Sequence, residues 1–265
     1  MDQTGHEKIE KRIEELGPWF HNLHLPNGDQ TAPDHFLGDF PSYKWQELRV
    51  ALPEELEGWT ALDIGCNAGF YSIELAKRGA EVTAVDMNPH YLEQARWAVD
   101  AFGLADRVRL LRRQVYHLTE LKEQFDIVLF LGVFYHLRYP LLGLDIAARK
   151  ARRLFAFQTL SMPGREVVDP GEDRDINDRE AMKEPGWPKM AFIENRLAGD
   201  PTNWWAPNHA AIEAMLRSTG MRIVDYPGTE TYLCEPESKG DSPVTSWDAE
   251  EFLAATSRFD GSTEH

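Results

Sequence analysis

Apolar residues fall in short unbroken blocks through the middle of the chain: TALDI (60–64), EVTAV (81–85), FDIVLFL (125–131) and RLFAFQTL (153–160), with a weaker block at 107–112. Continuous rather than alternating runs of this length predict strands covered on both faces. Helices fit between them at 69–78, 89–102 and 140–151. Pro89 in the first turn of the second and Gly79 and Gly103 at helix ends agree with those limits. Strands alternating with helices in this way predict an α/β fold: a Rossmann-like, doubly wound sheet of about seven strands, the last antiparallel.

The flanks read differently. Ile9, Ile13 and Leu16 recur at helical spacing over 6–16, and Gly17-Pro18 ends that helix. Residues 18–45 are dense in aromatics, His and turn formers, and predict an ordered but irregular lid. Residues 161–206 break the strand–helix rhythm with nine Pro and Gly residues in all and with Trp187, Trp204 and Trp205, so they are expected to be a substrate-side insertion. A helix from Pro207 through Thr219 and strands at 221–226 and 230–234 follow, then a weak helix at 248–256 and final residues expected to be disordered. The expected division is an N-terminal helix and lid (1–58), a nucleoside-cofactor domain (59–235) and an acidic tail (236–265).

Composition narrows the setting. Two cysteines, Cys66 and Cys234, make no disulfide framework, and no segment has a signal-like or membrane-spanning run, so a cytoplasmic protein with no membrane partner is expected. The formal net charge of −16 repels phosphate polyanions. The basic runs Arg107–Arg113 and Arg149–Arg153 read as solvated rims, so a small-molecule substrate is expected and an extended nucleic-acid footprint is not.

The chemistry begins at Asp63-Ile64-Gly65-Cys66-Asn67-Ala68-Gly69, between a strand and a helix. Gly65 permits the sharp turn, and Gly69 permits close approach of ligand and sheet. The spacing is G-x-x-x-G, not the G-x-G-x-x-G that cradles a pyrophosphate, which argues against a nicotinamide-dependent oxidoreductase. A loop of this kind suits the aminoacyl end of a nucleoside sulfonium, with Asp63 facing the ammonium and Gly65, Cys66, Asn67 and Gly69 holding the methionine part. Asp86 ends the next strand, where a carboxylate accepts from both ribose hydroxyls, with Met87 and Asn88 beside the adenine. Val115 and Tyr116 follow the third strand, and Leu131 closes the fourth. The cofactor read from these positions is S-adenosylmethionine.

Candidate bases for an acceptor proton are His136, His21 and His24, with His136 equally readable as a loop-orienting residue. His21 and His24 form an H-x-x-H pair with His35 and His209 as further candidates, but no metal-ligand spacing is complete and no metal is expected. Trp19, Tyr43, Trp45, Trp204 and His209 are the candidate acceptor contacts.

Asp63–Gly69, Asp86 and the end of the fourth strand together resemble class I S-adenosylmethionine-dependent methyltransferases. More narrowly, LGVFYHLRYPLLGL (131–144), FQTL (157–160), WWAPNHAAIEAMLRSTGM (204–221), TSWDAEEFL (245–253) and Lys44-Trp45 are similar to the tRNA wobble-uridine carboxymethyltransferase family, over about residues 40–253. The resemblance implies that Tyr135 and Lys44 sit by the cofactor. It also implies, as the alternative function, wobble-uridine modification with S-adenosylmethionine or its carboxylated form. The segment Trp19-Phe20-His21-Asn22-Leu23-His24 lacks the Lys that the family carries upstream. The reading from residues and charge is therefore in-line methyl transfer to O or N of a small acceptor.

Overall fold

The computed structural model describes residues 3–169, 171, 173–237 and 245–257. Its strands are β1 (Thr60–Ile64), β2 (Glu81–Asp86), β3 (Val108–Arg112), β4 (Phe125–Leu131), β5 (Ala151–Gln158), β6 (Met190–Phe192), β7 (Trp205–Pro207), β8 (Met221–Asp225) and β9 (Thr231–Pro236). The helices are α1 (Gln3–Glu15), α2 (Phe40–Leu48), α3 (Phe70–Lys77), α4 (Pro89–Ala101), α5 (Pro140–Ala148), α6 (His209–Ser218) and α7 (Ser246–Thr256).

Seven strands form one sheet in the order β3-β2-β1-β4-β5-β9-β8. Strands β1 to β5 pair in parallel, and β9 runs antiparallel to both β5 and β8. Ala61, Leu62, Ile127, Val128, Leu129 and Phe130 are wholly buried, as central strands covered on both faces must be. One core, with α3 and α4, lies on one face; the other, with α5 and α6, lies on the opposite face. The strand order reverses between β1 and β4, which opens a crevice at their carboxyl ends.

Several sequence expectations shift. The segment 18–45 is not wholly irregular: Pro41 in the first turn starts α2, and Trp45 and Leu48 fix it to the core. Pro207 ends β7 rather than opening a helix, and α6 starts at His209, where the Asn208 side chain accepts from the Ala211 backbone N–H. Strand β5 lies two residues earlier than its apolar text. The insertion contains its own two-stranded hairpin, β6 against β7. The disordered-tail expectation falls mainly on residues 238–244 and 258–265, which lie outside the described residues. Among the described residues, no helix is long and apolar enough to cross a membrane.

Candidate functional site

The turn after β1 is built around two left-handed glycines, Gly65 at φ +74° and Gly69 at φ +84°. A side chain at Gly65 would collide with Val133 Cγ2, and one at Gly69 would press on Ala95 Cβ at 3.3 Å. The first contact joins the β1 turn to the β4 turn across the crevice; the second seats the turn on α4. Gly65 and Cys66 both donate their backbone N–H to the Val85 carbonyl. Asn67 is also left-handed, at φ +51°, and its side-chain Oδ1 accepts from the Ala68 N–H at 2.7 Å.

Asp86 closes the second turn. Its Oδ2 accepts from the Asn67 N–H at 3.0 Å and its Oδ1 from the Asn88 N–H at 2.8 Å. Burial raises its pKa while these backbone donors lower it. Four lone-pair positions on a carboxylate leave capacity for further donors.

Asp63 is 2% exposed and accepts from Ser72 Oγ at 2.6 Å. Burial pushes its pKa up to about 6, the Ser72 hydrogen bond opposes this, and the Asp86 charge adds to it. The result is a buried carboxylate held without a cationic partner among the described residues. Such a group is suited to a ligand ammonium.

On the far side of the crevice, Gly132 (φ +71°) donates its N–H to the Gln158 carbonyl, and Tyr135 and His136 follow in a 3-10 turn. His136 Nδ1 lies 2.9 Å from Thr202 Oγ1 and 3.8 Å from Asp200 Oδ2. Burial lowers its pKa, against the pull of Asp200, so the ring is neutral and able to accept a proton. The Asp200 charge also raises the pKa of Tyr91, on α4, and of Tyr135. One loop of the insertion therefore reaches residues on both sides of the switch point. Gln114 Nε2 contacts Met87 Sδ at 2.9 Å, which brings the ends of β2 and β3 together, with Val115 and Tyr116 in the 3-10 helix just beyond.

Lys44 is half-buried, and its pKa is lowered by burial and partly restored by Glu230 and Glu47. Glu230 also lifts Tyr135, to about 12 after burial. It is held by Gln158 Nε2 at 3.3 Å and by Ser161 Oγ and N–H at 3.1 and 3.2 Å. Lys44, Tyr135 and Glu230 thus share one electrostatic neighbourhood. Glu230, Asp200, Thr202 and Ser72 were missed in the sequence. The one available signal was an acidic residue immediately before the strand that pairs with the carboxyl end of β5.

Other expected site residues do different work. His21 is buried among Phe40, Phe70 and Tyr71, and burial pulls its pKa to about 3, so it has no access to an acceptor proton. His24 pairs with Asp39 at 2.6 Å on the surface, with no described contact to His136. His209 gives one ring nitrogen to Tyr232 OH and the other to Glu213 at 3.1 Å, so it is structural rather than an acceptor contact. Trp19, whose Nε1 donates to the Ile13 carbonyl, and Trp45 are core residues. Tyr43 is exposed on α2 and Trp204 half-buried, its N–H donating to the Tyr135 carbonyl. A depression of about 390 Å³ lined by Glu57, Arg78, Gly79 and Arg107 lies at the opposite, amino-terminal edge of the sheet, away from these groups.

Known proteins resemble this chain in sequence and in fold. The family described as "Methyltransferase domain" matches residues 61–155. A tRNA U34 carboxymethyltransferase of Colwellia psychrerythraea is 32% identical over 251 residues, covering 90% of this chain and 66% of that protein. One of Cellvibrio japonicus is 27% identical over 245 residues, covering 87% of this chain and 65% of that protein. The chain thus spans just under two thirds of the length of these curated relatives. Among solved structures, the N-terminal domain of EvdMO1 with SAH bound superposes with TM-score 0.58 at 20% identity, covering 89% of this chain and 95% of that one. The mitomycin 7-O-methyltransferase MmcR gives 0.52 at 15% identity, covering 75% and 54%. These two likenesses concern the fold.

The curated relatives overturn the expectation of a small-molecule acceptor without nucleic acid, because they are named for modifying a tRNA. The expectation rested on the net charge of −16 and on the runs Arg107–Arg113 and Arg149–Arg153, and neither registers cations elsewhere in the chain. Much of the basic text is indeed used internally: Arg107 pairs with Glu57, Arg109 with Glu123, and Arg152 and Arg153 with Asp126. Arg138 and Arg196, near the insertion, form no ion pair among the described residues.

Proposed function

We propose, on the premise that this chain carries a class I S-adenosylmethionine-dependent methyltransferase domain, that it modifies the wobble uridine of a tRNA with S-adenosylmethionine as donor. The observation that carries the acceptor is the 32% identity to a tRNA U34 carboxymethyltransferase over 90% of this chain. The donor reading rests on the buried carboxylate of Asp63, which has a Ser72 hydrogen bond but no cationic partner among the described residues, beside the Gly65–Gly69 cradle, which a Cβ would fill.

In this reading Asp63 takes the ammonium, the turn Gly65, Cys66, Asn67 and Gly69 follows the methionine part, and Asp86 takes the ribose hydroxyls. Met87, Asn88, Val115 and Tyr116 border the adenine. Leu131, Tyr135 and Lys44 flank the reacting end. When bound, the donor supplies an electrophilic methyl on a sulfonium whose leaving group is a neutral thioether. The protein must then align the acceptor and exclude water. Neutral His136, oriented by Thr202 and Asp200, accepts the proton of an attacking hydroxyl or N–H. The plain donor fits the local charge better than the carboxylated one. Lys44 already faces Glu230 and Glu47, and the upstream segment supplies a buried neutral His21 rather than a second cation.

The test is to incubate the full chain with methyl-labelled donor and tRNA lacking wobble modification, then digest to nucleosides. Label in the first anticodon uridine is expected; label absent from RNA would overturn the acceptor. A parallel reaction with the carboxylated donor separates methyl from carboxymethyl transfer.

A further inference from the structure

The insertion presents an aromatic surface that the donor chemistry does not use. Phe192, at the end of β6, is 49% exposed. Its ring lies within 8° of parallel to that of Trp204, centroids 6.1 Å apart, and Trp205 packs on it at 4.9 Å. The Arg138 guanidinium lies over both rings, 5.4 Å from the Phe192 centroid and 5.1 Å from that of Trp204.

This cluster is rigidly tied to the candidate catalytic turn. Trp204 N–H donates to the Tyr135 carbonyl at 2.9 Å, Trp205 Nε1 donates to the Leu137 carbonyl at 3.0 Å, and Arg138 follows directly in sequence. Unlike a singly exposed apolar residue, Phe192 stands in a cluster of three aromatic rings beside a guanidinium that has no carboxylate partner among the described residues. Arg196, in the same hairpin connection, is exposed and also without an ion pair among the described residues. Flat apolar faces interleaved with unneutralised Arg fit an unstacked base and its phosphate; they do not fit an apolar peptide, for which two free cations are a desolvation cost.

We infer that Phe192, Trp204 and Arg138 form a base-stacking platform for a single-stranded RNA nucleotide next to the one being modified. A base lies on the aromatic pair and the Arg138 guanidinium turns to its phosphate. Reaching a wobble base requires the anticodon loop to be splayed, and a neighbouring base needs a surface to replace its lost stacking. The platform rests on the tRNA reading above and adds where the loop is held.

The test measures fluorescence anisotropy of a labelled anticodon stem-loop and of full tRNA against the full chain and its Phe192→Ala, Phe192→Trp and Arg138→Ala variants. Thermal shift with S-adenosylhomocysteine serves as the folding control. Phe192→Ala is expected to weaken RNA binding about tenfold, Phe192→Trp to retain it, and Arg138→Ala to weaken it and flatten its salt dependence, all with an unchanged thermal shift. If the wild type binds RNA and Phe192→Ala binds equally well, the platform is overturned while the tRNA reading stands. If the wild type binds no RNA, both fall. A change of sedimentation with Phe192→Ala at unchanged RNA affinity assigns the surface to a protein contact and overturns the platform.

Discussion

Asp86 Oδ2 accepts the backbone N–H of Asn67 at 3.0 Å, so the carboxylate that ends β2 also fixes the left-handed turn that follows β1. The two halves of the proposed donor site are therefore one unit, and a change in either disturbs both.

Removing that carboxylate leaves the buried Asn67 amide and the half-buried Asn88 amide without their acceptor, a cost of about 1–3 kcal/mol for the buried one and less for the other. Asp86→Ala is expected to weaken S-adenosylhomocysteine binding by about 10- to 100-fold in calorimetry. Asp86→Asn, which keeps one acceptor oxygen, should lose less. Unchanged affinity in Asp86→Ala would remove this residue from the site.

Asp63 sets function against stability. Its folded pKa of about 6 lies above the usual 3.8, so the folded state holds the proton more tightly than the unfolded one. The penalty is absent below the unfolded value, grows as pH rises from about 4 to 6, and reaches about 3 kcal/mol at neutrality. Asp63→Asn is expected to raise the melting temperature of the ligand-free protein at pH 7 by several degrees and to weaken donor binding. In the wild type, donor affinity should rise with pH through about 6, and this dependence should vanish in Asp63→Asn. A variant melting below the wild type would contradict the assignment.

Gly65 is constrained twice, by φ +74° and by Val133 Cγ2 across the crevice. Gly65→Ala should cost about 2–4 kcal/mol from left-handed strain and overpacking. Adding Val133→Ala should recover part of that loss by removing the collision but not the strain. Urea denaturation of the two variants checks this, and no recovery in the double variant would mean that the turn, not the contact, limits the position.

His136 is predicted to act through its neutral ring. His136→Gln should lower kcat by about 10²- to 10⁴-fold while leaving donor affinity within about twofold. Because burial holds the wild-type pKa below its ordinary value, the rate should climb at acidic pH and be level from neutrality upward. Asp200→Asn removes the charge that raises this pKa and should move the climb to lower pH. A loss confined to donor binding would make His136 a loop residue instead.

What the sequence determined is local and periodic. Unbroken apolar blocks fixed β1, β2, β4 and β5 because a strand covered on both faces tolerates little else, and the Gly65–Gly69 spacing with Asp86 marked the crevice because left-handed turns and strand-end carboxylates leave residue-level traces. Tertiary structure decided what depends on distance in space. Whether a histidine is a base turns on its surroundings: His136 meets Thr202 and Asp200 from 66 and 64 residues away, whereas His21 is sealed among aromatic rings. Trp19 and Trp45 have the same composition signal as Trp204, yet two fill the core and one borders the candidate catalytic turn. Charge behaved in the same way, since a sum over the chain does not say which cations are already paired: Arg152 and Arg153 pair with Asp126, while Arg138 lies over Phe192 and Trp204.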